Sequence, residues 1–372
     1  MINEQSVNSP MQPYNVDISV LMLFHARADH FSQVWAEVKK ARPARLFLYQ
    51  DGPRMTDANG QAVDDVRQSR DYAGIMECRK LVKDENIDWQ CEVHRLYQEK
   101  NYGCDPSEYI SQRWAFSLTD KCIVLEDDDI PSQSFFPFCK EMLDRYEYDE
   151  RVTMIAGFNT DEVSPLPKSY LSEDGNTTPS YFFTRAFSIW GWASWARVVN
   201  QWEGDYAFVK NQTRFQELCA KVKREKIFTW MPKVCQDHAA TGKEYYESIF
   251  WAHMFMHDGL AIMPRMNMIN NIGLQGGAHY NVDLRLKPRC QRQIFTMQRY
   301  EIWPPYTHPA QVEDWPQYLD SYFCRMGVDR PLHKMAHSIE ELFLHLRYGD
   351  IDGIIKALKI RLSKIIGIYK AY

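Results

Sequence analysis

Lys121-Cys122-Ile123-Val124-Leu125-Glu126-Asp127-Asp128-Asp129-Ile130-Pro131 decides how this chain is read. Cys122 to Leu125 is a continuous apolar run, the mark of a strand buried on both faces, as in a parallel sheet. Four acids follow at once. Such a cluster is costly unless a cation neutralises it or water solvates it. Pro131 stops the strand, and Phe135 to Tyr146 opens a helix. Carboxylates at the C-terminal end of a buried α/β strand lie where open sheets bind ligands. Hard oxygen donors there suit Mg2+ or Mn2+, and such a metal commonly bridges phosphates. A solvated acidic turn is the alternative that this stretch alone leaves open.

Upstream, Ile18 to Phe24 reads as a buried strand, and Phe31, Val34, Trp35 and Val38 follow at helical spacing. Arg45 to Tyr49 is a second strand, closed by the turn Asp51-Gly52-Pro53. Residues 54–70 read as a polar loop leading into a helix near Tyr72 to Val82. Trp89 to Leu96 is a third strand and Glu108 to Leu118 a helix. Strands alternating with helices imply βαβ units, so the expected class is α/β, a mostly parallel Rossmann-like sheet flanked by helices. Downstream, Val152 to Gly157, Tyr181 to Thr184 and Leu260 to Met263 read as strands, and Arg214 to Lys223 and Glu244 to His257 as helices. The expected division is an extended or disordered segment at 1–16, a main domain at 17–299, a linker at 300–337 and a helical extension at 338–372. Pro304, Pro305, Pro309 and Pro316 suggest the linker.

Composition narrows the function classes. A hydrophobic fraction of 45% with 25% charged residues is that of a soluble globular enzyme. A formal charge of −5 argues against a dedicated nucleic-acid binder, so no nucleic-acid partner is expected. The nine cysteines include no CxxC pair, which fits reduced thiols in a cytosol. The polar start up to Asp17 lacks a signal-peptide pattern, and no apolar run approaches the roughly 20 residues of a spanning helix. A cytoplasmic location is expected. From Gly353 to Tyr372 the chain carries five Lys or Arg and no acid, interleaved with aliphatics. That is an amphipathic helix for an anionic membrane surface, here the inner face of the cell membrane, or one docked on the domain or on a partner subunit.

Several other residues carry chemistry. Arg27, just after the first strand, has the forked guanidinium that pairs with phosphate; an ordinary surface Arg is the alternative. Asp51 ends the second strand and suits the donors of a nucleoside, or else simply forms its turn. Trp190, Trp192 and Trp195 crowd six residues and offer indole faces to a sugar, with core packing as the alternative for at least two. Glu247 or Glu244 is a candidate general base if it reaches an attacking hydroxyl. His279 closes a Gly-rich loop and is a candidate nitrogen ligand to the same metal.

In order along the chain stand His-Ala-Arg at 25–27, Tyr-Gln-Asp-Gly-Pro-Arg at 49–54, Glu-Lys-Asn-Tyr-Gly-Cys at 99–104 and Val-Leu-Glu-Asp-Asp-Asp-Ile-Pro at 124–131. Trp-Gly-Trp-Ala-Ser-Trp at 190–195 and Asn-Ile-Gly…Gly-Ala-His at 271–279 follow. This series resembles the bacterial nucleotide-diphospho-sugar transferases of the GT-A fold, in the haemolysin-like group. The Glu-Asp-Asp stretch is also similar to that of eukaryotic N-acetylglucosaminyltransferase I. The resemblance spans roughly residues 17–282. It implies a nucleotide-diphosphate sugar donor, UDP first, a Mn2+ or Mg2+ ion, and transfer to a glycan or lipid-linked acceptor by inverting displacement in surface polysaccharide synthesis. By it Asp128 is the direct metal ligand and His279 the family's late His. Glu126 and Asp127 hold the ribose or the metal's water, Asp51 reads uracil, and Arg27 lies near the diphosphate. Glu247 stands where relatives carry a Trp-Asp pair. Relatives usually have Asn-Arg-Pro after the first strand, where this chain has His25-Ala26-Arg27-Ala28. Two rival readings remain: a sugar nucleotidyltransferase, although residues 18–30 lack the Gly-rich signature with Lys, and a non-catalytic scaffold that uses its tail on membranes.

Overall fold

The computed structural model describes residues 11–56, 61–274, 283–326 and 330–365. Ten strands are described: β1 (Val16–Phe24), β2 (Pro43–Gln50), β3 (Glu92–Tyr97), β4 (Lys121–Glu126), β5 (Asp129–Pro131), β6 (Val152–Ala156), β7 (Tyr181–Thr184), β8 (Trp192–Trp195), β9 (Leu260–Pro264) and β10 (Ile269–Asn271). Between the first strands run α1 (Ala28–Ala41), α2 (Asp65–Leu81), α3 (Cys104–Ala115) and α4 (Phe135–Arg145). The second half carries α5 (Ala196–Val199), α6 (Ala207–Lys210), α7 (Gln212–Glu225), α8 (Met231–Thr241) and α9 (Tyr246–Met256). The C-terminal part is helical: α10 (Arg289–Gln293), α11 (Pro316–Met326), α12 (Pro331–Arg347) and α13 (Ile351–Ile365).

Eight strands form one sheet in the order β3-β2-β1-β4-β8-β6-β9-β7. The pairs β3–β2, β2–β1, β1–β4 and β6–β9 are parallel, and β8 and β7 run against their neighbours. The protein is therefore α/β with a mostly parallel central sheet, as its apolar runs imply. Every residue of β6 and β9 is buried, as are the last seven of β1, because helices cover both faces. From β1 the chain moves outward through β2 to β3, then returns to place β4 on the other side of β1. That reversal makes the carboxyl ends of β1 and β4 a topological switch point, the place where such sheets take ligands. β5 and β10 form a separate antiparallel ribbon, with Asn271 opposite Asp129.

Three elements differ from expectation. α2 begins at Asp65, seven residues before the expected start, because Asp64 caps it by accepting from the Arg67 N–H at 2.7 Å. Residues 300–316, expected as a linker, pack on the body: Ile302, Tyr306 and Trp315 are buried, and the Trp315 N–H donates to the Phe183 carbonyl at 2.8 Å. The prolines mark an irregular path over apolar ground rather than a solvated tether. The terminal helices begin at Pro331, ahead of the expected 338.

Candidate active site

β1 and β4 end side by side, with Leu23 paired to Glu126. The chain leaving β1 turns into α1 at Arg27, and the Arg27 guanidinium reaches across to the acids that follow β4. Its Nε donates to Oδ2 of Asp127 at 3.4 Å, and its Nη2 donates to Oδ1 of Asp127 and, at 2.8 Å, to Oδ2 of Asp128. Asp127 and Asp128 are only 5% and 7% exposed. The remaining guanidinium nitrogen, Nη1, is buried with no hydrogen-bond partner among the described residues. The other oxygen of Asp128 accepts from Asn271 Nδ2 at 3.0 Å, and the same amide donates to Asp129 at 3.1 Å. Asp129 also accepts the backbone N–H of Gly191 at 2.9 Å. The β5–β10 ribbon thus presents Asn271 to two acids at once. A Cβ at Gly273 would stand 2.1 Å from Oδ2 of Asp128, so this approach of backbone to carboxylate requires glycine.

Four acids against one guanidinium leave a negative excess, and the protonation equilibria show it. Burial pushes the Glu126 carboxyl well above the ordinary range, and Glu108, Asp129, Asp128 and Asp127 add to that push. Asp129 is likewise raised by burial and then by Asp128, against the hydrogen bonds from Asn271 and Gly191. Burial raises Asp127 too, opposed by Arg27. Burial works against the charge of Arg27, but Asp127 and Asp128 outweigh it and hold the guanidinium more firmly protonated than usual.

A second carboxyl pair adjoins this centre. Glu108 is buried on α3, which packs against α9, and Cys104 Sγ donates to it at 3.4 Å. Burial lifts the Glu108 carboxyl well above the ordinary range, followed by the charges of Glu247 and Asp105. Glu247 stands exposed in the first turn of α9. The hydroxyl of Tyr246, a residue 1% exposed, has no hydrogen-bond partner among the described residues. Burial, then Glu108, Glu126 and Glu247, keep that phenol protonated. The three glutamates therefore share one electrostatic neighbourhood, in which burial and like charge favour the protonated form of Glu108 beside the exposed Glu247.

The structure brings together Arg27, Glu126, Asp127 and Asp128 from the expected set, with Glu247 within electrostatic reach through Glu108. Asp51 sits at the neighbouring strand end, but its oxygens are occupied by its own surroundings. They accept from the backbone N–H groups of Gly52, Tyr102 and Gly103 at 2.9, 2.9 and 3.1 Å and from Asn101 Nδ2 at 2.7 Å. It shapes the loop leading into α3. Trp192 and Trp195 need correction as acceptor-binding residues. They lie on β8 at 1% and 2% exposure, Trp192 against Trp202 and Phe250, and Trp195 donating from Nε1 to the Leu143 carbonyl at 3.0 Å. Both faces of those indoles are covered by protein. Trp190, against Phe158 and Phe295, keeps part of its surface exposed. His279 lies outside the described residues. Glu108 has no role in the sequence reading; Tyr246 enters it only beside Glu247, and Asn271 only as the first residue of the motif at 271–279. Burial of an acid inside a helix leaves no periodic signature, whereas Asn271 had a weak one in the Gly-rich loop it opens.

A divalent cation would find hard oxygen donors in Asp128 and Glu126. Among the described residues no three His, Cys, Asp or Glu side chains converge on one point.

No family model and no curated protein matches this sequence. Among solved structures, the inositol-1-phosphate CTP transferase from T. maritima overlaps with a TM-score of 0.33 at 8% identity, over 76% of this chain and 97% of the other. A UTP-bound UGPase from Acinetobacter baumannii gives 0.30 at 9%, over 68% and 88%. A UDP-glucose pyrophosphorylase complexed with UDP-glucose gives 0.26 at 9%, over 50% and 78%. Overlaps this partial decide nothing about the site.

Proposed function

We propose that this chain moves a sugar from a nucleotide-diphosphate donor, UDP in the first instance, to a hydroxyl of a glycan or lipid-linked acceptor, with inversion. The observation that carries the reading is the orphaned Nη1 donor of Arg27, buried beside the acids at the carboxyl ends of β1 and β4. A buried N–H without an acceptor is costly, and a phosphate oxygen would satisfy it. In the reaction the bond from the anomeric carbon to the β-phosphate oxygen breaks and its electron pair leaves with the nucleoside diphosphate. The acceptor oxygen bonds to the anomeric carbon from the opposite face and passes its proton to the Glu247 carboxylate. Arg27 offsets charge on the leaving group. A Mg2+ or Mn2+ ion held by Asp128, with Glu126 on its water shell, would supply further positive charge to the diphosphate. Peripheral attachment to a membrane would suit a lipid-linked acceptor. The β1–α1 turn, His25-Ala26-Arg27, has no glycine, which favours sugar transfer over nucleotidyl transfer.

Thermal unfolding in the presence of UDP, GDP or CMP, with and without Mn2+, tests the reading. A ligand at a hundred times its Kd stabilises the native state by about 2.7 kcal/mol. UDP is expected to raise the melting temperature, more so with Mn2+, and to lose that effect in Asp128→Asn. No shift with any nucleotide at saturating metal would refute the donor site. Release of pyrophosphate from UTP and a sugar phosphate would assign nucleotidyl transfer instead.

A further inference from the structure

α12 is built inside out. Its polar side faces the body: Glu340 accepts the Arg289 N–H at 2.8 Å, Glu341 pairs with Lys287 at 3.5 Å, and His337 lies 3.3 Å from the Cys290 thiol. Leu344, on the same side, is buried. At 3.6 residues per turn, Leu332, Met335, Ile339, Leu342, Phe343 and Leu346 all fall within about 100° on the other side. All six are exposed, Leu332 by 69% and Phe343 by 60%. α13 repeats the pattern, with Ile351, Ile355 and Leu358 on one stripe and exposed. An amphipathic helix of a globular protein normally turns its apolar stripe to the core. Two successive helices that turn it outward leave a run of exposed apolar side chains, not a scatter of single ones.

We propose that α12 and α13 together form a docking plate for an anionic lipid surface. Charge selects this occupant. The two acids of α12 are spent on the body, whereas Lys334, Arg347 and Lys359 are exposed. Beyond Asp352 the sequence carries five Lys or Arg and no acid, although the whole chain is at −5. A second copy would meet this face through a two-fold axis, which sets the basic rim against itself. Anionic headgroups neutralise the same rim while acyl chains take the apolar stripe. Among the described residues no helix is long and apolar enough to cross a membrane, so the plate lies on the surface. The proposal stands whether or not the site at the ends of β1 and β4 handles nucleotide sugars.

Co-sedimentation of the full chain with vesicles tests it, using phosphatidylcholine alone and with about one-third phosphatidylglycerol. Binding is expected to the anionic vesicles, weaker to the neutral ones and weaker at high salt. Ile339→Asp/Phe343→Asp should cut partitioning by roughly a hundredfold, since each side chain removed forfeits about a tenfold contribution. Lys359→Glu should lower binding to anionic vesicles several-fold and leave the weak neutral binding unchanged. Both variants alter exposed positions and should melt as the parent does, which separates lost docking from lost folding. Absence of vesicle binding by the parent would overturn the proposal. So would a dimer, seen by light scattering, that Ile339→Asp/Phe343→Asp splits while vesicle binding is absent or unchanged.

Discussion

Replacing Arg27 by Gln removes the single guanidinium that spans Asp127 and Asp128. Those carboxylates are 5% and 7% exposed, so water does not take over its role. Removing one partner of a buried ion pair costs about 3–5 kcal/mol, because the other charge stays behind. Against a total stability on the order of 5–15 kcal/mol this is a large fraction. At about 2 °C per kcal/mol for a chain of this size, the melting temperature should fall by roughly 6–10 °C at neutral pH. The pH dependence has a definite sign. Burial holds the folded-state Asp127 value above its ordinary 3.8, and Arg27 opposes that. Without Arg27 it rises further. A carboxyl with a raised folded value binds its proton more tightly in the native state, so its contribution is present at low pH and lost as pH rises through that value. The deficit of Arg27→Gln should therefore shrink as pH falls toward the ordinary value of 3.8 and grow as pH rises through the raised folded value. Arg27→Lys, which keeps the charge but loses the fork, should fall between the two. Calorimetric melts from pH 5 to pH 8 would show all of this. Melting of Arg27→Gln within about 1 °C of the parent across that range would refute the reasoning, because it is the behaviour of a solvent-screened surface pair.

Other substitutions probe the same architecture. Glu108→Gln removes a carboxyl whose folded value burial and Glu247 hold well above 4.5. Its stabilising contribution is lost as pH rises, so the variant should melt above the parent at pH 8 and lose that advantage toward pH 5; parallel curves would show that Glu108 is hydrated. Gly273→Ala sets a methyl 2.1 Å from Asp128 Oδ2. It should cost about 1–3 kcal/mol and weaken nucleotide-dependent stabilisation, both read in one thermal titration. Trp192→Ala should lose about 3–5 kcal/mol, and Trp190→Ala less than half as much, by denaturant unfolding. Equal losses would contradict the difference in their burial.

Much of the frame is legible in the chain because burial on two faces writes continuous apolar runs. Ile18 to Phe24, Cys122 to Leu125 and Leu260 to Met263 all fall within described strands. The acids after β4 were equally visible, since charge directly after such a run has few structural explanations. Their partner was visible only as a residue type. That Arg27 crosses to Asp127, 100 positions away, depends on β1 and β4 being neighbours, which the order of strands in the chain does not state. The Trp-dense stretch misled for a related reason. A strand placed in mid-sheet buries alternate side chains on both faces, so Trp192 and Trp195 read as a sugar platform until β8 is seen between β4 and β6. Glu108 was hidden because a helix with one buried acid has the same apolar period as one without.

The inside-out polarity of α12 follows from what the body offers it. The segment packed against it, residues 283–293, presents Lys287, the Arg289 N–H and the Cys290 thiol, a polar surface on which Glu340, Glu341 and His337 find partners. An apolar stripe turned to that surface would strand those groups, at about 1–3 kcal/mol for each buried donor or acceptor left unpaired. Facing outward, the stripe instead leaves six large side chains 44–69% exposed, each forfeiting about half of the roughly 1.5–3 kcal/mol that full burial would return. The two costs are of the same order, and a monomer in water has no means of recovering the apolar one. A sequence that repeats the arrangement in α13, with cations and no acid beyond Asp352, is matched to a surface that recovers the apolar term and the electrostatic term together.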